Sequence, residues 1–311
     1  EVSESSRIAR GRTQALVAIT WPRCGRQYDA TVFQFGQQVV CECGITVDLS
    51  QGHLLMTPSD IEGVLIDIAG VLHVGEASVP GAAAALTRLS AADVPVRFLT
   101  NTTRATRQQL LTKLQRLGFE INGESIFSAP IAARKYLEQH DLRPYLLIHP
   151  ALQEEFENLA TDQPNAVVVG DAADVFTYRT LNAAFRILMD GGALISMGSN
   201  RYFRDQDGLS LDMGPFVEAL RYAAQTEPVV LGKPSPAFFQ EALNDMGVPA
   251  TRAIMIGDDV ENDVGGAQAL TIRGILVRTG KYRPEDENDS AIKPDSIVDD
   301  VTQAVDEILA A

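Results

Sequence analysis

From residue 61 onward the chain alternates short apolar runs with longer stretches whose apolar residues recur every three or four positions. The runs GVLI, VPVRFL, YLLI, AVVVG, ALIS, VVLG, AIMIG and GILV predict strands, and the amphipathic stretches 80–92, 104–117, 177–189, 234–246 and 299–309 predict helices between or after them. Such alternation implies βα units and a parallel sheet, in which ligands collect at the carboxyl ends of the strands. Residues 1–58 have another texture: they hold every cysteine, the single tryptophan and short β-prone runs such as ATVFQF and QQVVCECG.

At 311 residues and 45% hydrophobic, the chain can bury a sizeable core and is long enough for more than one domain. A formal net charge of −15 and a pI near 4.7 argue against a nucleic acid or an anionic membrane as partner. A small phosphorylated ligand stays compatible if a metal or a local lysine offsets the charge. No apolar run approaches the roughly 20 residues of a membrane span, and the first residues carry no basic-then-apolar signal, so the expectation is a soluble, cytoplasmic protein. The three cysteines, Cys24, Cys41 and Cys43, supply no disulfide framework for the larger part of the chain.

Four predicted strand ends carry polar residues. Asp67 follows VLI, Thr100 and Asn101 follow VRFL, Lys233 follows VVLG, and Asp258, Asp259 and Asp263 lie in GDDVEND after AIMI. Taken singly, an aspartate after a strand is more often a turn former or helix cap than a catalyst. Together they supply an acidic nucleophile, a hydroxyl and amide, a cation and a second acidic cluster, a set that fits phosphoryl transfer to a carboxylate. A phosphate repels a carboxylate nucleophile, so Asp67 can attack only where a divalent metal and a lysine neutralise the group; Mg²⁺ prefers oxygen ligands and keeps several waters. Asp67, Asp258 and a backbone carbonyl of the turn after Asp67 can supply three such oxygens. Thr100, Asn101 and Lys233 would hold the phosphoryl group, while Gly70 permits a tight turn that brings backbone N–H groups near it.

On these residues the chain resembles the haloacid dehalogenase superfamily of aspartyl-phosphate phosphatases. DIAGVL, LTN, GKPS and GDDVEND correspond in order to its four motifs, and the long insert between the second and third, with RFLTNTT, GLSLDMGPFVEAL, VVLGKPSPAFF, IMIGDDVENDVGGAQ and VRTGKYRPEDE, points to its large-cap branch. The resemblance covers about four fifths of the chain. It implies an α/β fold: a Rossmann-like core with a parallel sheet at 60–130 and 226–311, an inserted α/β cap at 131–225, and a small β-rich, zinc-ribbon-like segment at 1–58. By position, Asp67 would be the nucleophile and a Mg²⁺ ligand, Ala69 would offer its backbone carbonyl, and Asp258 would be the third protein ligand. Asp67, Ile68, Ala69, Thr100, Asn101 and Lys233 would line the phosphoryl site. Asp259 and Asp263 would either orient metal waters or cap the following helix.

Ala69 departs from the superfamily, which in most members has an aspartate two residues after the nucleophile to protonate the leaving group and later activate water. The large-cap branch tends to carry serine there, so a missing carboxylate does not by itself mean a dead site. General acid–base help is worth about 10²–10⁴-fold. Its loss should matter least for leaving groups that need no enzymic acid: phosphoramidates, pyrophosphate or aryl phosphates. The expectation is a slow Mg²⁺-dependent phosphatase of a small phosphorylated compound favouring activated P–N, P–O–P or aryl bonds. The alternative is a phospho-ligand sensor or scaffold that binds without turnover; a homodimer is one assembly open to either.

Elsewhere the signals are weaker. GSNRYFRDQDGLSLDMG reads as a polar loop facing the core site, where Arg201 could contact a distal anion, although an exposed arginine on a cap loop is the commoner case. His73 and His149 read as turn residues, and TGKYRPEDE as a solvated loop or a subunit contact. WPRCGRQYDATVFQFGQQVVCECG resembles a C-x-x-C…C-x-C zinc ribbon with Trp21 at the first ligand position. Structural zinc wants four ligands, and Cys24, Cys41 and Cys43 leave one wanting, with His53 a distant candidate. The other reading is a degenerate ribbon held by packing of Trp21, Phe33 and Phe35.

Overall fold

The apolar run at 63–67 forms strand β1 (Gly63–Asp67), every residue of it buried. In the computed structural model, residues 61–205, 208–287 and 291–310 are described, with the backbone of six short strands before them. Beyond β1 the strands of two parallel sheets are β2 (Val96–Thr100), β3 (Ile126–Ser128), β4 (Pro144–Leu147), β5 (Ala166–Val169), β6 (Ala193–Ser196), β7 (Val229–Val230), β8 (Ala253–Gly257), β9 (Arg273–Val277) and β10 (Ser296–Val298). Six form the core sheet in the order β3-β2-β1-β8-β9-β10, and four form an inserted sheet in the order β4-β5-β6-β7. β7 at 229–230 belongs to the inserted sheet, so the chain returns to the core after residue 230 rather than at 226.

The longer helices among the described residues are α1 (Ala82–Ala91), α2 (Arg107–Arg116), α3 (Ala129–Gln139), α4 (Tyr178–Met189), α5 (Gly214–Ala224), α6 (Pro236–Met246) and α7 (Val301–Leu309). Caps set their starts more sharply than amphipathicity does. The Thr106 hydroxyl accepts from the Gln109 N–H while the Gln109 side chain accepts from the Thr106 N–H, so α2 begins at Arg107 and not at 104. Asp300 accepts from the Thr302 and Gln303 N–H groups and starts α7 at Val301.

Successive side chains of β1 point to opposite faces, Val64 and Ile66 into one apolar cluster and Leu65 into another. The first cluster lies under α1 and α7, with Leu86, Leu89, Val305 and Ile308. The second holds Leu99, Phe238, Phe239 and Met255 of the core and continues through Ala132 and Leu137 of α3 into Val167, Val169, Ile195 and Met197 of the inserted sheet. Each such leucine or phenylalanine contributes about 1.5–3 kcal/mol on burial.

Asp245 at the end of α6 ties two further elements to that layer: it accepts from Arg97 Nε of β2 at 2.6 Å and pairs with Lys135 of α3 at 2.5 Å. Burial alone would push its carboxyl up, but the bonds and charges of Lys135 and Arg97 outweigh it and hold it below the ordinary value of 3.8. A depressed carboxylate stabilises the fold above its unfolded pKa, and that contribution is lost as pH falls through the folded value. Asp245→Asn is therefore expected to lower the unfolding free energy by about 1–2 kcal/mol at pH 7. The deficit should shrink in urea titrations run below the ordinary carboxylate value.

Residues 1–60 form a separate unit. Its described strands make two antiparallel three-stranded sheets, Val2–Glu4, Val17–Thr20 and Gln27–Asp29, then Gln38–Val40, Thr46–Asp48 and His53–Leu55. Trp21, Phe33, Phe35 and the three candidate zinc ligands Cys24, Cys41 and Cys43 lie outside the described residues.

Candidate active site

Asp67 is the last residue of β1, level with Leu99 in β2, and Asp258 follows β8 directly, so parallel pairing brings the two carboxylates to neighbouring strand ends. Asp67, Asp258 and Asp263 each place a carboxylate oxygen within 4.8 Å of the others, all three buried. The Lys233 ammonium sits between two of them, donating to Asp67 Oδ1 and, at 2.6 Å, to Asp263 Oδ1. Burial would lower the Lys233 pKa, but Asp263 and Asp67 outweigh it and hold it raised, so the side chain stays an ammonium.

The carboxylates are pushed the other way. Burial raises Asp67, helped by the Asp258 charge and opposed by Lys233; burial and the charge of Asp67 push Asp263 up to about 6 against Lys233. Asp258 is raised by burial and by Asp263, against the hydrogen bond from the Lys281 backbone. Lys233 and, further out, Lys281 face four carboxylates, Asp67, Asp258, Asp259 and Asp263, which leaves surplus negative charge, a setting that favours a further cation. Asp258 Oδ1 is buried without a hydrogen-bond partner, whereas both oxygens of Asp263 are engaged, Oδ1 by Lys233 and Oδ2 by the Asp259 N–H. The donor set thus fits a hard divalent cation such as Mg²⁺ held by Asp67 and Asp258, with Asp263 anchoring the lysine.

The remaining predicted residues divide. The Asn101 amide grips the Lys233 backbone from both ends, its Nδ2 donating to the carbonyl at 2.8 Å and its Oδ1 accepting from the N–H at 2.7 Å. Its side chain therefore positions the lysine loop. Thr100 is buried at the end of β2, its hydroxyl accepting from the Thr102 N–H at 3.3 Å. The turn after β1 is closed by Gly70 N–H to the His73 carbonyl at 2.8 Å, with Ile68 N–H bonded to the Leu99 carbonyl and Ala69 exposed. Asp259 takes the capping role: it accepts from the Glu261 and Asn262 N–H groups, and burial, which would raise it, is outweighed by Asn262 and Lys281, which hold it low. His149 caps the 3-10 turn Pro150–Phe156, and His73 donates to the Gly75 carbonyl, both as turn residues.

Two expectations are corrected. The stretch around Arg201 is a β-hairpin, Tyr202–Asp205 paired with Gly208–Leu211, since its alternating residues suit strands. Arg201 lines a cavity of about 510 Å³ with Tyr202, Leu211 and Pro215 of the cap. The hairpin's reach toward the core is made by Phe203, under the Arg104 guanidinium at 4.4 Å, while Arg104 also binds Asp171 after β5. The residues after β9 are not simply a solvated loop: the Lys281 N–H donates to Asp258 Oδ2 at 2.7 Å and Thr279 Oγ1 donates to the Gly70 carbonyl. Gly257 too escapes a reading by charge alone; a Cβ there would lie 2.2 Å from Asp263 Cβ, so glycine admits the anchor of Lys233.

A buried Asp–Lys–Asp array beside a third carboxylate, at the strand ends of a parallel sheet with a second α/β sheet inserted, is an arrangement suited to hydrolytic chemistry on an anionic group. The chain belongs to the haloacid dehalogenase-like hydrolase family. The family model of that description matches residues 64–161, and a HAD-hydrolase-like model matches 230–304. Haloacid dehalogenase-like hydrolase domain-containing protein 2 of Bos taurus is 46% identical over 82% of this chain and 98% of its own length. The human phospholysine phosphohistidine inorganic pyrophosphate phosphatase is 44% identical over 80% of this chain and 94% of its own. Among solved structures, the p-nitrophenyl phosphatase from Archaeoglobus fulgidus superposes with a TM-score of 0.71 at 25% identity, covering 79% of this chain and 99% of that one.

Proposed function

We propose that this protein is a Mg²⁺-dependent phosphatase that passes the phosphoryl group of a small compound to Asp67 and then to water, favouring aryl, P–N and P–O–P bonds. The observation that carries it is the partnerless Asp258 Oδ1 beside an Asp67 already oriented by Lys233. Relatives named for phospholysine, phosphohistidine, pyrophosphate and p-nitrophenyl phosphate support the substrate class.

Asp67 and Asp258, with the Ala69 carbonyl, would hold the ion. Bound there, Mg²⁺ supplies positive charge against the phosphoryl oxygens. Lys233 adds a second positive charge and, fixed by Asp263 and Asn101, needs no reorganisation as charge shifts. An Asp67 carboxylate oxygen attacks phosphorus and the bond to the leaving group breaks; the leaving group departs with a proton it already carries or takes from solvent, since Ala69 has none to give. Water then attacks the phosphorus of the aspartyl phosphate, loses its proton to solvent, and returns Asp67 with inorganic phosphate.

The test is hydrolysis of p-nitrophenyl phosphate, imidodiphosphate and a hexose phosphate with Mg²⁺ and after EDTA. The first two should be turned over faster than the third, and chelation should cut turnover by at least about 10²-fold, restored by added Mg²⁺. Faster turnover of the hexose phosphate would reject the leaving-group preference. Phosphate binding with no turnover of any substrate would favour the sensor reading that Ala69 first suggests.

A further inference from the structure

Two glycine backbones close on one oxygen of Asp258. Gly70, at φ +100°, and Gly280, at φ +60°, are each placed so that a Cβ would lie 1.9 Å from Asp258 Oδ2, and a Cβ on Gly280 would also lie 2.5 Å from Gly70 Cα. The same oxygen accepts the Lys281 N–H at 2.7 Å, and Thr279 fastens the two segments by donating to the Gly70 carbonyl. Oδ2 is thereby occupied and walled in, while Oδ1 of the same carboxylate stays buried with no partner. A carboxylate free to rotate would share its two oxygens between these roles; here the backbone assigns them.

We infer that Thr279, Gly280 and Lys281 form a positioning clamp for the cation site, and that Thr279 is its fastening. The segment does two things at once. Its N–H holds Asp258 with Oδ1 toward the cation, and its threonine hydroxyl fixes the turn that presents the Ala69 carbonyl. The inference rests on the Mg²⁺-dependent reading above and adds residues from after the last of the strand ends that bear the carboxylates. Partners of a metal ligand commonly matter by about 10–100-fold in metal affinity or activity.

The experiment is calorimetric titration of Mg²⁺ into the full chain, without substrate, for the wild type, Thr279→Val and Thr279→Ser, with the Mg²⁺ dependence of p-nitrophenyl phosphate turnover measured alongside. Thr279→Val keeps the side-chain shape and removes only the donor. It should bind Mg²⁺ about tenfold more weakly, raise the half-saturating Mg²⁺ for turnover in proportion, and keep kcat at saturating Mg²⁺ within about threefold. Thr279→Ser should restore wild-type affinity. Equal Mg²⁺ affinity in wild type and Thr279→Val overturns the clamp, as does a lower melting temperature of the metal-free variant with unchanged affinity. A wild type that binds no Mg²⁺ would instead remove the metal-dependent reading on which the clamp rests. Gly280→Ala, which crowds Oδ2 directly, should lose more affinity than Thr279→Val if it folds; less loss in folded protein also counts against the clamp.

Discussion

Ala69→Asp is expected to raise turnover of a hexose phosphate by about 10²-fold while changing p-nitrophenyl phosphate by less than about threefold. The turn that carries residue 69 is already fixed, by the Gly70 N–H to the His73 carbonyl and by Thr279 on the Gly70 carbonyl, so a new side chain changes the chemistry more than the backbone. Ala69 is exposed, and an aspartate there displaces no core atom. Neighbouring carboxylates at Asp67 and Asp258 would raise its pKa toward a useful range for an acid. An alkoxide leaving group needs that proton and an aryl oxide does not. A hundredfold gain corresponds to about 2.7 kcal/mol of barrier. Equal gains on both substrates, or a gain confined to the aryl phosphate, would show that proton supply is not what limits this site.

Asp67→Asn should abolish turnover, with a fall of at least about 10⁴-fold in kcat on every substrate, because the amide is no nucleophile and the neighbouring carboxylates are committed elsewhere, Asp258 walled in by the Gly70 and Gly280 backbones and Asp263 bonded to Lys233. Lys233 keeps its bond to Asp263 in that variant, and the loop stays held by Asn101. Asp67 has a raised pKa in the folded chain, so at neutral pH its ionised form detracts from stability in the metal-free protein, and the substitution removes that burden. Metal-free Asp67→Asn should therefore melt no lower than the wild type in calorimetric scans. Residual turnover within a hundredfold of wild type would require another nucleophile and would sink the aspartyl-phosphate route.

Much of this site is legible along the chain because the chemistry sits at strand ends, and strand ends are where an apolar run gives way to a polar residue. Asp67 and Thr100 end their strands and Lys233 and Asp258 follow theirs within three residues, so naming the strands comes close to naming the site. Roles that depend on distant pairings are harder to read. Asp259 and Asp263 lie four residues apart in one acidic run, yet one caps a helical turn and the other holds Lys233. The glycine at 257 is small enough to admit Asp263 beside Lys233, and its meaning appears once both backbones are in place. The loop after β9 was obscured by its own composition: Lys281 acts on Asp258 through its N–H, which every residue but proline possesses, and the charges that follow it point elsewhere. β3 and β10 are three-residue strands at the two edges of the core sheet, too short to show a period.

The apolar layer that runs from Leu65 and Leu99 through α3 to Val167 and Ile195 joins the core and the inserted sheet as one buried cluster. A cap mounted this way cannot swing clear on a hinge without exposing leucines and valines to water. Access to Asp67 is expected through sliding of packed helices and small movements at the rim where Arg104 meets Phe203 and Asp171. The shared apolar layer also couples the two sheets, which are expected to unfold together in a single calorimetric transition.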